Sequence, residues 1–560
     1  LSLDANTTGT YGVALGYSAL GSNTTADGNT AVGYNSFGAN TTGTSNVGLG
    51  MSAGSGNTTG IQNVFIGKEA GSTNTTAGNN VAVGFRTFFG SAAVTGGSNA
   101  VVGNYALYVN TSGINNVGIG QEIYQANTTG SNNVAVGKSA LGANTTGGYN
   151  TAVGGNALLA NTTAQFNCAV GFEALRNNTT GADNTAIGGY QTLIVNTTGE
   201  RNTAVGRAAL ASNTTGAGNT AAGYKALEAN TTASNNTAFG QDTLRATTTG
   251  HSSTAVGHDA LTANTTGDQN VAVGMSALDA NTTANNNTAV GYGSLTANTT
   301  GADNVAVGRT AMEANTTASN NVAVGKNALI ANTTGTPNVA VGYRALDANT
   351  TAGSNTAVGD SALGANTTGG SNTAIGYQAG DAITTGSNNV CIGKGTDVNT
   401  GAAASRLGLG VALSLTTADQ IKIGIGSDFI TNTFISNATW SHSSDERLKK
   451  NITNDSLGLT FINKLRPVTY NWKPFEEQPE DIRGIASNKK DDRKYHGMIA
   501  QEVKQSLDDL GVNTYTGWTE NEEGVQMISE QMFVYPLINA IKELSTALDA
   551  ALARIATLEG

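Results

Sequence analysis

The sequence VAVGMSALDANTTANNN, from Val271 to Asn287, recurs with small variations along most of this chain. Its four-residue core, typically VAVG or TAVG, occurs 23 times from Val13 to Val390, and 20 of the 22 steps between successive cores equal the step from Val271 to Thr288. The two longer steps, from Val81 to Ala100 and from Thr185 to Thr203, are interpreted as loop insertions. Self-similarity at a fixed period is the signature of stacked structural repeats.

Two positions of the core predict how the repeats stack. The fourth position is Gly in all 23 units, for example Gly137, Gly257 and Gly376, which predicts a positive φ or a backbone approach too close for a Cβ. The third position is Val, Ile or Leu except for Ala222 and Phe239, which lie in adjacent units. If the units stack in register, Phe239 could fill the core volume that Ala222 leaves empty.

The rest of the unit predicts a second strand and two turns. An Ala-Leu pair such as Ala277-Leu278 gives a second short apolar segment, and Asn-Thr-Thr-Gly is typical turn chemistry. Asn precedes the core in 21 of the 23 units, and stacked Asn side chains can form amide ladders. The triplets also match the N-glycosylation pattern. We interpret them as structural turns because they always occupy the same column, with sugar attachment as the alternative.

These features predict a mainly β fold, a 17-residue parallel β-roll or β-solenoid. One unit has only about three apolar side chains, so it can bury them only against its neighbours. At about 4.8 Å per coil, 23 coils would form a rod of roughly 110 Å. The small-apolar-Gly core with its preceding Asn resembles the NSVAIG rolls in the heads of trimeric autotransporter adhesins, although those repeats are shorter than the unit of this chain. The resemblance covers residues 13 to about 393 and implies an intertwined homotrimer.

Composition divides the chain after Ser443. Of the 28 Lys and Arg, 14 lie beyond this point, as do four of the five Pro. We therefore expect a repeat rod over 1–393, a β stalk or linker over 394–443, and a small α+β domain over 444–560. Because the opening LDANTTG is the tail of a repeat, we also expect the chain to begin inside a longer protein.

The C-terminal part contains four landmarks in order: SDERLKKNI (444–452), LRPVTYNW (465–472), YHGMIAQEV (495–503) and a helical ending from Tyr535. It resembles the C-terminal intramolecular chaperone domain of endosialidase-type phage tailspikes and fibres, found also in a membrane-anchored animal transcription factor. The resemblance implies a domain that trimerises, drives folding of the fibre before it, and then cuts itself off.

The same resemblance implies a single-turnover Ser-Lys dyad and no other enzyme activity. Ser444 would be the nucleophile, Lys449 its base, and the bond between Ser443 and Ser444 the one that breaks. A Ser hydroxyl needs such a base, and a desolvated Lys can supply it. Without the resemblance, Ser444 and Lys449 would be interpreted as parts of a solvated charged loop.

The last helix carries a heptad pattern from about residue 537. The seam positions are Leu537, Ile541, Leu544, Leu548, Ala551, Ile555 and Leu558. They predict a coiled coil, and the alternative is an ordinary core helix. Ile at a and Leu at d favour dimers by the usual rule, so the expectation of a trimer comes from the resemblance alone.

Together these features predict a homotrimeric phage tail fibre that is part of the virion and binds a host receptor, either a glycan or a surface protein. Other virion or surface-anchor proteins would join its N-terminal side. The alternative is a bacterial cell-surface trimeric adhesin that uses the same chaperone domain. A glycan-hydrolysing tailspike lacks support, because no recurring pair of close carboxylates occurs in the repeats.

Several partner classes are not expected. The net charge of -11 gives no electrostatic reason to bind nucleic acid. No apolar run is long enough to predict membrane insertion. The four His show no ligand spacing, so neither a metal nor another cofactor is expected.

Overall fold

The computed structural model describes residues 1–90, 93–433, 446–473, 477, 479–480, 494–521 and 524–559. The chain divides into two compact units, Leu1–His442 and Ser443–Gly560. Within the described residues, no helix is both long and apolar enough to cross a membrane.

The first unit is a parallel β-solenoid with one short strand at each repeat core. The strands are β1 (Val13–Leu15), β2 (Thr30–Val32), β3 (Val47–Leu49), β4 (Val64–Ile66), β5 (Val81–Val83), β6 (Ala100–Val102), β7 (Val117–Ile119), β8 (Val134–Val136), β9 (Thr151–Val153), β10 (Cys168–Phe172), β11 (Thr185–Tyr190), β12 (Thr203–Val205), β13 (Thr220–Ala222), β14 (Thr237–Phe239), β15 (Thr254–Val256), β16 (Val271–Val273), β17 (Thr288–Val290), β18 (Val305–Val307), β19 (Val322–Val324), β20 (Asn338–Val341), β21 (Asn355–Val358), β22 (Thr373–Ile375) and β23 (Val390–Ile392).

Each strand pairs in parallel with the next, so that equivalent residues of successive units lie side by side, as Val271 does with Thr288. The two longer units keep this pairing, with Val81 opposite Ala100 and Thr185 opposite Thr203. The predicted 17-residue parallel solenoid is thus confirmed, and its insertions leave the ladder intact.

The parallel register continues beyond residue 393 for one more coil. Strand β25 (Leu407–Val411) pairs with β23, and β27 (Gln420–Ile425) pairs in parallel with β25. The antiparallel strand β28 (Asp428–Thr433) then pairs with β27, while β24 (Asp397–Val398) and β26 (Ser414–Leu415) form a small parallel pair. The solenoid therefore has about 24 turns.

The predicted second strand of each unit is wrong. The Ala-Leu segment forms turns, in which Leu278 has φ +54° and Ser276 has φ +55°. Gln269, just before the Asn that precedes the core, has φ +57°. Left-handed residues at these recurring positions bend the chain sharply enough to close a coil that contains only one three-residue strand.

The core of the solenoid is narrow and built mainly of Ala and Leu. The second residue of the repeat core points inward, as Ala272 does, and the Ala277-Leu278 pair meets it from the other side; all three are fully buried. The third core position points outward, so Val273 is 36% exposed. In most units burial thus falls on the smallest residue of the strand, and the flanking Val residues lie nearer the surface.

This geometry corrects the interpretation of Ala222 and Phe239. The two residues do pair across β13 and β14, which confirms the stacking register. However, Phe239 is 44% exposed on the outer surface and fills no core volume. The volume compensation that was expected there fails because the third column does not face the core.

Real compensation occurs in the core at Phe37 and Phe65, both fully buried and stacked with ring centroids 5.8 Å apart. A Cβ on Gly54, which occupies the Phe37 column in the next coil, would lie 2.6 Å from the Phe37 ring. A Cβ on Gly71 would lie 2.6 Å from the Phe65 ring. Large residues are therefore matched by Gly in the same core layer.

The invariant fourth-position Gly meets both predicted requirements. Gly257 has φ +135°, and a Cβ there would lie 2.6 Å from the carbonyl oxygen of Gly274 in the next coil. Gly137 and Gly376, with φ of 123° and 134°, face the next coil in the same way. The Gly column is therefore a line of close backbone contacts that no side chain can enter.

Two buried Asn ladders confirm the predicted amide stacking. In the turn ladder, Asn281 Nδ2 donates to Asn264 Oδ1 (3.0 Å) and to Ala284 O (3.1 Å). In the ladder before the strands, the Asn287 backbone N–H donates to Asn270 Oδ1 at 3.0 Å. Asn281 belongs to an Asn-Thr-Thr triplet, yet its side chain is fully buried. This burial supports the structural-turn interpretation, since the nitrogen that would carry a sugar is used inside the fold.

The second unit is a small α/β region. Its elements are a 3₁₀ turn (Glu446–Leu448), α1 (Leu459–Ile462), β29 (Val468–Tyr470), β30 (Tyr495–Gly497), α2 (Ala500–Asp508), β31 (Trp518–Glu520), β32 (Gln526–Ile528), a 3₁₀ turn (Glu530–Phe533) and α3 (Val534–Glu559). The core consists of Leu457, Phe461, Val503, Leu507 and Phe533. The described residues of this unit form two antiparallel strand pairs, β29 with β30 and β31 with β32.

Candidate self-cleavage site and self-association surfaces

The predicted scissile bond, Ser443 to Ser444, lies outside the described residues. The nearest described element is the 3₁₀ turn Glu446–Leu448, after which the Lys449 backbone N–H donates to Glu446 O at 3.0 Å. Lys449 is exposed in the single chain. The structure therefore places the predicted base at the end of a tight turn, and the geometry of the predicted dyad stays a prediction.

C-terminal to this turn, two of the sequence landmarks pair with each other. Strand β29 comes from LRPVTYNW and β30 from YHGMIAQEV, and they pair with Tyr470 opposite Tyr495. At the start of α2, Glu502 accepts hydrogen bonds from the Arg466 guanidinium, with Nε 3.0 Å from Oε2. These hydrogen bonds lower the pKa of Glu502. The landmarks thus form one continuous scaffold.

The beginning of α3 is anchored in the second unit. The Glu543 carboxylate accepts a hydrogen bond from the Leu459 backbone N–H (2.8 Å) at the start of α1. Asn539 Nδ2 donates to Leu457 O at 3.0 Å. Gly458 is needed here, because a Cβ on it would overlap the Glu543 carboxylate. The first turns of α3 therefore form part of the domain core.

The remainder of α3 exposes an apolar seam. Every residue from Ile541 to Glu559 is exposed in the single chain. The exposed fractions include 65% for Ile541, 58% for Leu544 and 58% for Leu548. All seven predicted seam residues lie on this helix, and sequence reasoning missed Leu552, which is 54% exposed beside them. An apolar helix face of this length is the kind of surface that a second helix covers.

The solenoid carries a second exposed surface, which we call the outer face: the first and third positions of the 23 repeat cores, occupied mainly by Val, Ile, Leu and Thr. Val271 and Val273 are each 36% exposed, and Ile375 is 40% exposed. None of these positions is charged in any of the 23 units. Sequence reasoning missed this face because it assigned the large Val to the core. The detectable signal was the small Ala between two β-branched residues in most of the repeat cores.

One comparison with known proteins identifies the second unit. Residues 444–512 match the family model described as chaperone of endosialidase. No curated protein and no solved structure matches the chain significantly. This part of the chain is therefore a chaperone-of-endosialidase domain, and the solenoid of about 24 turns precedes it. That combination defines a fibre-like protein with an intramolecular chaperone.

Proposed function

We propose that this chain is the structural and receptor-binding fibre of a phage tail, assembled as a homotrimer on the virion. The chaperone domain aligns and folds three chains and then cleaves itself from them between Ser443 and Ser444. The observation that carries the proposal is the order of the two parts, a long repetitive solenoid followed directly by a chaperone-of-endosialidase domain. The family match begins at Ser444, the residue that the proposal places just after the cleaved bond.

Two exposed surfaces support self-association. The α3 seam is apolar and the outer face is uncharged along its length, so like copies can meet without bringing equal charges together. Both surfaces repeat at regular intervals, which suits parallel copies in register. The number three comes from the family resemblance.

The proposed cleavage needs only the chain and one water molecule. The Ser444 hydroxyl attacks the carbonyl carbon of Ser443 while the Lys449 amine takes the hydroxyl proton. The peptide C–N bond breaks, the Ser444 nitrogen receives that proton as it leaves, and the acyl group stays on the Ser444 oxygen as an ester. Water then hydrolyses the ester to a Ser443 carboxylate and a free Ser444 hydroxyl.

The exposure of Lys449 suggests when this reaction begins. A lysine becomes a base when burial disfavours its charged form. Since Lys449 is exposed in the single chain, we place cleavage after association, when a neighbouring copy covers the turn. Such an order would prevent release of the chaperone before the fibre is assembled.

Native and denaturing mass spectrometry of the wild type, Ser444→Ala and Lys449→Ala tests the proposal. We expect a trimeric fragment of about 44 kDa per chain in the wild type alone, in proportion to its share of the 56.4 kDa chain. Both variants should remain full-length trimers. A wild-type chain that keeps the full 56.4 kDa would contradict self-cleavage, and a monomeric product would contradict the fibre.

A bacterial cell-surface trimeric adhesin with the same chaperone domain is the second candidate. The observation that favours it is the Asn-preceded small-apolar-Gly core, which resembles autotransporter heads. Immunogold labelling with antibodies to the solenoid separates the two candidates. Label on virions supports the tail fibre, and label on cell envelopes without virions supports the adhesin.

A further inference from the structure

A third surface runs along the solenoid, formed by the side chain that follows each fourth-position Gly. We call it the stripe. Its members are Tyr17, Tyr34, Met51, Lys68, Phe85, Asn104, Gln121, Lys138, Gly155, Phe172, Tyr190, Arg207, Tyr224, Gln241, His258, Met275, Tyr292, Arg309, Lys326, Tyr343, Asp360, Tyr377 and Lys394, with Tyr190 taking the place in the unit that has one extra residue. Nine of the 23 are Tyr or Phe and six are Lys or Arg.

The stripe is exposed and its side chains contact each other from coil to coil. Tyr292 is 49% exposed and Tyr343 is 44% exposed. The Arg309 guanidinium carbon lies 5.8 Å from the centre of the Tyr292 ring, and Lys326 Nζ lies 5.6 Å from the centre of the Tyr343 ring. The densest segment is therefore ring, cation, cation, ring over four successive coils, spanning about 14 Å at the usual strand spacing.

The charge of the stripe is opposite to that of the surrounding surface. The stripe holds six cations and one carboxylate, whereas the other positions of residues 1–443 hold eight Lys and Arg against 19 Asp and Glu. Among the ion pairs of the described residues, Lys68 is the stripe cation that meets a carboxylate, that of Glu69 at 3.7 Å. Arg309 and Lys326 thus offer positive charge that the fold does not use in salt bridges.

From this we propose that the stripe, centred on Tyr292, Arg309, Lys326 and Tyr343, binds a carboxylated polysaccharide. This inference rests on the proposed receptor-binding function and names the class of receptor. Aromatic rings give apolar platforms for the faces of sugar rings, and Arg and Lys pair with carboxylates. A polymer of repeating acidic sugars can make the same contact at successive coils, which adds weak individual contacts into useful affinity.

Charge also argues against other occupants of the stripe. In a parallel homotrimer in register, stripes facing each other would bring Arg309 and Lys326 close to their own copies, which costs free energy. The uncharged outer face carries no such penalty. Double-stranded nucleic acid carries about one negative charge per 1.7 Å of its axis, so the excess carboxylates on the rest of the surface repel it more strongly than a polymer with a single carboxylate on each sugar.

The experiment measures binding of the purified wild-type fibre, as it assembles, to immobilised polygalacturonate, with neutral dextran and double-stranded DNA as comparison ligands. The test variants are Arg309→Ala/Lys326→Ala and Tyr292→Ala/Tyr343→Ala. The matched control is Arg201→Ala/Arg245→Ala, which removes two exposed cations outside the stripe. Native mass spectrometry of each protein measures the oligomer in parallel.

We expect the wild type to bind polygalacturonate and to ignore dextran, with binding weakened by salt. Each stripe variant should bind about tenfold or more weakly, while the control retains wild-type affinity and all proteins keep the same oligomeric state. The proposal is overturned by absent binding, by equal loss in the control, by equal binding of DNA, or by stripe variants that become monomeric. Absent binding by an intact trimer would leave the proposed fibre function standing.

Discussion

At the scale of single residues, the Gly column sets the strictest requirement. Gly257 combines a left-handed φ with a neighbour's carbonyl oxygen 2.6 Å from where a Cβ would be. Any side chain there must strain its own backbone and push two coils apart. The close approach recurs in every unit, and the left-handed φ recurs in every unit except that of Gly188, so each coil depends on its own Gly.

We predict that Gly257→Val destabilises the solenoid locally by about 3 kcal/mol or more, from backbone strain plus steric overlap. Limited proteolysis should show new cuts in the coils around residues 250–280. Gly189→Val is the control, because a Cβ on Gly189 has no atom within 4 Å. Equal resistance of the two variants to protease would show that the close approach is unimportant.

Interruptions of the turn ladder show what each Asn contributes. Thr247 replaces Asn in one unit, and Asn264 Nδ2 reaches its hydroxyl only at 3.4 Å. On the other side, Asn230 Oδ1 is buried without a hydrogen-bond partner among the described residues. The acceptor is left over because Thr lacks the amide donor that the other units supply.

Restoring the donor should stabilise the protein. We predict that Thr247→Asn raises the free energy of unfolding by about 1 kcal/mol, since it satisfies a buried acceptor. Asn281→Thr, which creates the same gap elsewhere, should lower it by a similar amount. Calorimetry with hydrogen exchange of the neighbouring coils measures both, and a stabilised Asn281→Thr would refute the ladder's role.

At the scale of elements, α3 has two functions along its length. Its first turns are held by Asn539 and Glu543, and everything from Ile541 onward is exposed. The leucines beyond Ile541 are 54% to 80% exposed, which is costly in water, so we expect a partner to cover this part of the helix. A change in the seam should therefore affect association without unfolding the domain.

We predict that Leu544→Asp/Leu548→Asp yields a monomeric chain that is also uncleaved, because cleavage is proposed to follow association. The charges oppose burial of the seam at two successive layers. Sedimentation velocity and intact mass measure the two effects. Ser545→Asp, an exposed change on the same helix, is the control and should leave both unchanged; a cleaved monomer would separate cleavage from association.

Much of the solenoid could be predicted from the sequence because the same unit occurs 23 times, so that the requirements of each position stand out. Gly257 and its equivalents follow from an invariant column, and the Asn ladders and the 17-residue register follow from nearly invariant ones. The single strand per coil could not, because Leu278 normally favours regular structure and here adopts φ +54°. The left-handed turn is imposed by the need to close each coil. This is a non-local constraint that the conformational preference of Leu alone does not predict.

The orientation of the strands and the geometry of the candidate site were harder to predict from the sequence. Hydrophobicity favoured placing Val273 inside, although the narrow coil has room only for Ala272. Ser444 and Lys449 were assigned from a motif, and the family match at residues 444–512 supports the domain without defining their geometry. The exposure of Lys449 could not be predicted, because it depends on how a single copy folds.

At the scale of the whole molecule, the difficulty of assembly lies in register. Contacts between neighbouring coils join residues one repeat apart, as Val271 and Thr288 are, so closing each coil costs little loop entropy. The repeats are nearly identical, however, and a shift between chains by one or more units changes few contacts. A domain that aligns the chains at one end removes this degeneracy, because every coil then propagates from a fixed start.

We therefore predict that cleavage makes assembly irreversible. The cleaved wild-type fibre has lost its aligning domain, so after complete denaturation and dilution it should regain few native trimers and form mis-registered aggregates. Uncleaved Ser444→Ala retains the domain and should refold to trimers in much higher yield. Native mass spectrometry and protease resistance of the refolded samples measure the difference.

The control is Ser444→Ala with Leu544→Asp/Leu548→Asp, which keeps the domain but blocks the seam and should refold as poorly as the cleaved fibre. Equal recovery of trimers in all three proteins would mean that the solenoid finds its register unaided, and that the chaperone acts on some other step.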